Sequence, residues 1–288
     1  MIVILQGGKS SEREVSIWTA DSIADSLDRL SIKYVRIDAA DDDWLEKVKS
    51  SKAEKVIIAL HGPFGEDGTV QTILEKNNIK YTGSDSIVSA IAIDKIKTKE
   101  IVAQSGIKTP QLYTEYDYKL PVVIKPNQEG SSFGVTIVKS EEDFGIALIE
   151  ANKYDESVLI EEYIEGRELT CGVIDVFGKV QVLPLVEIKP KNEFFNFESK
   201  YQGDMCEEIC PAEIDENITK TIQSQSAEIF KLLNIRQYCR IDWIVKDDIP
   251  YFLEVNTLPG MTKTSLINKE LKAANIEFDD FISKLMSS

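Results

Sequence analysis

Two short apolar runs, Met1-Ile2-Val3-Ile4-Leu5 and Val56-Ile57-Ile58-Ala59-Leu60, contain no polar residue at any position. A strand with one wet face would alternate, so continuous Val/Ile/Leu runs predict strands buried on both faces of a parallel sheet. The chain between them alternates like an α/β unit, with a helical pattern over about residues 11–30 and a further strand over 34–37. The first run turns at once into Gly7-Gly8 with no basic residue before it, which reads as a first strand and not as a signal peptide. After His61 a glycine-rich loop, Gly62-Pro63-Phe64-Gly65-Glu66-Asp67-Gly68, leads into a helix from about Thr69. Thr82-Gly83-Ser84 closes the first expected domain, residues 1–84.

The next stretch is helical to about Gln104 and broken by Gly106 and Pro110. Strand patterns at 122–125, 135–138 and 157–162, with a short helix over about 141–150, read as a small α+β domain over 85–163. The remainder, 164–288, opens on an expected antiparallel pair, 169–176 and 180–186, around Gly178-Lys179. An irregular aromatic segment, 189–203, is expected to close over a site as a loop. A long helix (about 217–233), a hairpin (240–256) and a C-terminal helix complete the chain, with no internal repeat.

Composition removes several functions. The 33 Lys and Arg against 49 Asp and Glu leave a net charge of −16, which disfavours nucleic acid and anionic lipid as partners. An anionic ligand therefore needs a local positive site. No apolar stretch approaches the ~20 residues of a membrane-spanning helix. Four cysteines without a C-x-x-C pair fit reduced thiols in a cytoplasmic protein, and a single histidine, His61, excludes a multi-histidine metal centre.

Gly8-Lys9-Ser10 lacks the earlier glycine of a P-loop, because Val3 stands there, and no two glycines are spaced i, i+2 as a dinucleotide fingerprint requires. Ile124-Lys125-Pro126-Asn127-Gln128-Glu129-Gly130-Ser131-Ser132-Phe133-Gly134-Val135 fits better. A lysine ending one strand, a small-residue loop and a second strand can wrap phosphate oxygens with backbone N–H groups, although an ordinary hairpin loop would look the same. In the hairpin, Arg240-Ile241-Asp242 and Glu254-Val255-Asn256 each place i and i+2 on one strand face. Centring the hairpin on Asp248 sets Asp242 against Glu254 and Arg240 against Asn256. Facing carboxylates call for a cation, and an all-oxygen set with Asn suits Mg²⁺ or Mn²⁺. The alternative is a solvated charged face; the neighbouring Tyr251-Phe252-Leu253 favours a buried sheet and the metal.

Taken together, the lysine and glycine-rich flap, the acidic segment Glu161-Glu162-Tyr163-Ile164-Glu165-Gly166-Arg167-Glu168 and the Asp…Glu-x-Asn hairpin resemble an ATP-grasp carboxylate–amine ligase. The resemblance to the D-alanine–D-alanine ligases runs nearly end to end. It is carried by Gly7-Gly8, Ser11-Glu12-Arg13-Glu14-Val15-Ser16, Leu60-His61-Gly62, Gly65-Glu66-Asp67-Gly68, Tyr81-Thr82-Gly83-Ser84 and Asp94-Lys95. Lys125-Pro126, Glu129-Gly130-Ser131-Ser132, Lys200-Tyr201, Arg240-Ile241-Asp242 and Glu254-Val255-Asn256-Thr257 with Pro259-Gly260-Met261-Thr262 continue it in order. Leu258 stands where Ser is common, and the chain is slightly short for the family.

The resemblance implies an ATP-grasp fold behind an N-terminal parallel α/β domain, and formation of D-alanyl-D-alanine from two D-alanines and ATP for peptidoglycan synthesis. It implies that Lys95, Lys125, Gly130, Ser131 and Ser132 hold phosphates. Glu161, Glu162 and Ile164 would meet the adenine and Glu168 the ribose, while Asp242, Glu254 and Asn256 carry two Mg²⁺ or Mn²⁺ ions. Glu14 would hold the first ammonium, although Ser11-x-x-Glu14 is also a capping box. His61 would assist at the first carboxylate, or be a loop histidine bonded to backbone; Ser265 would bind the second carboxylate with Lys200 among the substrate contacts, or be an N-cap. Arg240 and Gly260 would form the oxyanion hole, and Ser131 and Tyr201 would tie a lid to the flap. A homodimer in the cytoplasm is the family expectation.

Overall fold

β1 (Ile2–Gln6), β2 (Tyr34–Asp38) and β3 (Lys55–Ile58) form a three-stranded parallel sheet in the order β2-β1-β3. Val3, Ile4, Leu5, Val56 and Ile57 are fully buried in it, as unbroken apolar runs require. A computed structural model of the chain describes residues 1–190 and 206–287. The connecting helices are α1 (Arg13–Arg29), α2 (Trp44–Ser51) and α3 (Thr69–Lys76). Helix α2 was not evident in the sequence, because only Trp44 and Val48 of its eight residues are buried. β3 ends at Ile58, so Ala59 and Leu60 are buried coil that delivers His61 to the loop beyond.

After α4 (Ser86–Ile93) and α5 (Lys95–Gln104), β4 (Leu112–Tyr113), β5 (Val122–Pro126), β6 (Thr136–Val138) and β7 (Val158–Glu162) form a four-stranded antiparallel sheet, β4-β7-β5-β6. Helix α6 (Glu141–Asn152) covers it through Phe144, Ala147 and Ala151. β8 (Arg167–Ile174), β9 (Gln181–Val182), β10 (Val186–Pro190), β11 (Cys206–Ile209), β12 (Tyr238–Lys246) and β13 (Ile249–Asn256) build the third sheet, β11-β10-β8-β12-β13, with β9 also on β8. The single strand expected over 180–186 is split in two. Pro184, which has no N–H to give a ladder, lies in the break between β9 and β10.

The remaining helices are α7 (Glu216–Leu232), α8 (Leu266–Ala273) and α9 (Phe278–Ser287). The one expected C-terminal helix is thus two, parted by Asn275 at φ +57°. The expected divisions at 84 and 163 do not coincide with the hydrophobic cores. Val88, Ala92 and Val102 of α4 and α5 pack into the core of the third sheet. Ile267, Leu271, Phe281, Ile282 and Leu285 of α8 and α9 return to the core of the first. Asp279 pins that return by accepting from Ser26 Oγ (2.7 Å) and from Arg29 Nη2 (2.6 Å). Among the described residues no helix is long and apolar enough to cross a membrane.

Candidate active site

β12 and β13 are joined by Asp247-Asp248, both at positive φ (51° and 61°), a two-residue turn whose twist matches its strands. Pairing runs from Lys246–Ile249 to Trp243–Phe252 and then slips by one residue between Asp242 and Trp243. Leu253 is left without a ladder partner, and beyond it Asp242 faces Glu254 and Arg240 faces Asn256. The expected pairs are therefore present for a different reason. The turn is not centred on Asp248, and without the bulge Asp242 would face Leu253.

Cations compensate these carboxylates. Arg240 Nε and Nη2 donate to the two Asp242 oxygens at 2.8 Å each, and Thr170 Oγ1 donates to Oδ1 at 2.7 Å. Burial opposes the Arg240 charge, but Asp242 outweighs it and holds the guanidinium pKa above its ordinary value. Lys95 Nζ lies 3.4 Å from Glu254 Oε2, and Asn256 Oδ1 accepts from the Leu258 N–H at 2.9 Å. Among the described residues no three His, Cys, Asp or Glu cluster as a metal cage. Two facing carboxylates and an amide fit a hard divalent ion that takes its other ligands from water and phosphate.

Lys95 opens α5, whose N-cap Asp94 accepts from the Lys97 N–H (3.1 Å) and from Asn127 Nδ2 (2.9 Å). Lys95 Nζ donates to the Glu129 carbonyl at 2.6 Å, fastening the helix start to the loop between β5 and β6. That loop holds Ser131 and Ser132 at φ 51° and 61°. At its far end a Cβ on Gly134 (φ +66°) would stand 2.8 Å from the Tyr154 ring, so glycine is required.

Behind the loop lies an ion-pair group that was only partly anticipated. Lys125 Nζ is 2.6 Å from Glu161 Oε1, and Lys99 Nζ is 2.9 Å from Oε2. Burial raises the Glu161 pKa, but the two lysines outweigh it and leave the carboxyl below its usual range. Burial likewise opposes the Lys125 charge, and Glu161 reverses it to give a raised pKa. For Lys99, at 1% exposure, burial wins and the pKa falls to about 8. Lys99 was missed because a lysine inside a helix reads as a solvent-facing residue; its one signal is the i, i+4 spacing from Lys95.

One cavity of about 480 Å³ collects these groups. It is lined by Lys95, Lys125, Gly130, Ser131, Ser132, Glu161, Glu162, Ile164 and Glu168, and by Arg240, Asp242, Glu254, Asn256 and Gly260. Glu12, His61 and Ser265 line it as well. Residues 41–84 match the family model described as D-ala D-ala ligase N-terminus, and residues 88–287 match D-ala D-ala ligase C-terminus. The D-alanine--D-alanine ligase A of Clostridium perfringens is 41% identical, with 98% of this chain and 96% of that protein covered. The D-alanine--D-alanine ligase of Aquifex aeolicus is 41% identical with 99% of each covered. The crystal structure of the Bacillus anthracis D-alanine--D-alanine ligase complexed with ATP superposes with a TM-score of 0.85 at 34% identity, covering 99% of this chain and 96% of that one. The chain belongs to the D-alanine–D-alanine ligase family.

In this ligase, Glu14 is not at the cavity. Helix α1 starts at Arg13 with Glu12 as its N-cap, so the Ser11-x-x-Glu14 box does not form, and Glu14 is exposed. Glu12 is buried instead and accepts from Ser131 Oγ on the flap. His61, also buried, has Thr19 Oγ1 3.0 Å from Nε2 and Glu66 Oε1 3.4 Å from Nδ1, so among the described residues its ring meets side chains. Burial, with Glu12 adding to it, pushes the Glu66 pKa up. Ser265 is the N-cap of α8 by position only; its Oγ accepts from the Thr262 N–H at 2.9 Å and stands 3.3 Å from where a Gly260 Cβ would be. Glu161, expected at the adenine, lines the cavity with both carboxylate oxygens against lysines. Lys200, Tyr201 and most of the 189–203 loop lie outside the described residues.

Proposed function

We propose that the chain is an ADP-forming ligase that joins two D-alanines into D-alanyl-D-alanine, a peptidoglycan precursor. The observation that carries this reading is one cavity lined by lysines, a backbone flap, the Asp242–Glu254 pair and a buried carboxylate, Glu12, that meets the flap through Ser131. The ATP bound by the Bacillus anthracis ligase supports the choice of nucleotide.

A carboxylate cannot acylate an amine at neutral pH, because oxide would have to leave. The first D-alanine carboxylate therefore attacks the γ-phosphorus of ATP, the bond to the β-bridging oxygen breaks, and ADP leaves. The neutral amine of the second D-alanine attacks the acyl phosphate carbonyl, and the tetrahedral intermediate collapses to expel inorganic phosphate. The protein acts by positioning and by charge stabilisation, without a protein nucleophile.

Lys95, Lys125 and the Gly130–Ser132 backbone hold the phosphates. The backbone of Glu162 to Ile164 receives the base, and Glu168 the ribose hydroxyls. Glu12 takes the first ammonium, His61 stands near the first carboxylate, and Ser265 takes the second carboxylate. Arg240 and the Gly260 N–H receive the oxyanion. Lys200 and Tyr201 complete the lid in this reading. Asp242, Glu254 and Asn256 would hold Mg²⁺ or Mn²⁺, two ions, which when bound neutralise phosphate charge. The family supports a cytoplasmic homodimer, and the acidic surface argues against nucleic acid and anionic lipid as partners.

ADP release with ATP and Mg²⁺ tests the reading when D-alanine is compared with D-serine, D-lactate and L-alanine and the products are weighed by mass spectrometry. D-alanine is expected to drive turnover and to give D-alanyl-D-alanine from pH 6 to 9. A main product of D-alanyl-D-lactate or D-alanyl-D-serine from mixtures with D-alanine would overturn the choice of second substrate.

A further inference from the structure

Lys99 does not line the cavity, yet it is the most buried cation near it. Its Nζ is 2.9 Å from Glu161 Oε2, while Lys125 Nζ takes Oε1 of the same carboxylate at 2.6 Å. The ammonium also lies 3.4 Å from the Phe252 carbonyl and 5.9 Å from the Phe252 ring centroid, two residues before Glu254. Three elements meet there: α5 brings Lys99, the second sheet brings Glu161 and Lys125, and β13 brings Phe252.

The charges in this group are +1 for Lys99, −1 for Glu161 and +1 for Lys125, a surplus of +1; Glu254, whose charge also reaches both lysines, is balanced by Lys95 at 3.4 Å. Without Lys99, Glu161 would cancel Lys125 and the surplus would be zero. In a chain of net charge −16, the global field gives an anionic ligand no help, so a buried local surplus decides its binding. Glu161 gives the Lys125 ammonium an oxygen to bind, a job that a neutral amide oxygen at the same position does without cancelling the charge. We infer that Lys99 is a positioning residue for nucleotide binding: it neutralises Glu161 from behind, so that Lys125 stays anchored yet presents an uncompensated positive charge to the phosphates. This rests on the nucleotide reading of the cavity given above.

The test is calorimetric binding of ATP with Mg²⁺ to the full chain, with thermal unfolding and the KM for D-alanine measured alongside. Lys99→Met is expected to weaken ATP binding by about tenfold or more, as removal of one partner of a buried charge pair does, and to leave the D-alanine KM unchanged. Lys99→Met/Glu161→Gln restores the +1 surplus on Lys125 and is expected to regain most of the affinity, which a purely structural role would not produce. If Lys99→Met does not fold, Lys99→Gln, which keeps a polar end for the Phe252 carbonyl, carries the same comparison. Wild-type binding with an unaffected single variant, or with a double variant as weak as the single, overturns the inference and leaves the nucleotide reading standing. A wild type that binds no ATP overturns the nucleotide reading itself.

Discussion

Glu12 and Glu14 sit two residues apart at the start of α1, and that half-turn separates a buried carboxylate from an exposed one. The resemblance put Glu14 at the first ammonium, with the Ser11-x-x-Glu14 capping box as the alternative; the helix instead begins at Arg13, leaves Glu14 exposed and turns Glu12 towards the flap. Glu12→Gln is expected to raise the KM for D-alanine by about tenfold or more, the loss that follows when one side of a buried ion pair is removed, while the KM for ATP holds. Glu14→Gln should change neither; steady-state kinetics with each substrate varied separates the two. A second buried acid was invisible in the sequence. Glu270 on α8 is fully buried, its Oε1 accepts from the Gly172 N–H at 2.8 Å, and its Oε2 has no hydrogen-bond partner among the described residues. Burial pushes its pKa from 4.5 up to about 8. The folded protein thus keeps a proton that the unfolded chain loses above about 4.5, so stability falls as pH rises from there towards 8. Glu270→Gln, which cannot ionise, is expected to raise Tm by several degrees at pH 8, where 1 kcal/mol is worth about 2–4 °C, with little gain at pH 4.5. Differential scanning calorimetry at both pH values checks this, and an equal shift at both would contradict it.

Elements were more legible than residues. Apolar period and turn residues located β1, β3, α1, α7 and the β12–β13 hairpin to within a few positions, because each must bury one continuous face. What period cannot show is a single extra residue: the bulge at Leu253 that brings Asp242 and Glu254 together leaves the strand pattern readable on either side. Nor does it show which partner a helix finds. Helix α9 is amphipathic in sequence, but only the fold shows Phe281 buried in the first core with its ring 5.8 Å from that of Tyr238. Phe281→Ala should destabilise the protein by about 3–5 kcal/mol in denaturant unfolding while leaving ATP affinity unchanged. A matching loss of ATP affinity would place α9 in the site's support.

At the scale of the molecule, the cavity draws on the second and third sheets and on the loops and helix start that follow strands of the first, so no single expected segment contains a complete site. The order of motifs along the chain was enough to name the chemistry. The way in which the cores exchange helices across residues 84 and 163 was not, because an apolar face records that it must be covered and not by what. The central claim is that this cavity activates a carboxylate by phosphorylating it before an amine attacks. Oxygen-18 in the carboxylate of D-alanine tests it directly, with the released inorganic phosphate analysed by mass spectrometry. The account predicts one labelled oxygen in phosphate for each D-alanyl-D-alanine formed, because the carbonyl–oxygen bond of the acyl phosphate is the bond that breaks. Phosphate free of label, its new oxygen drawn from water, would contradict it.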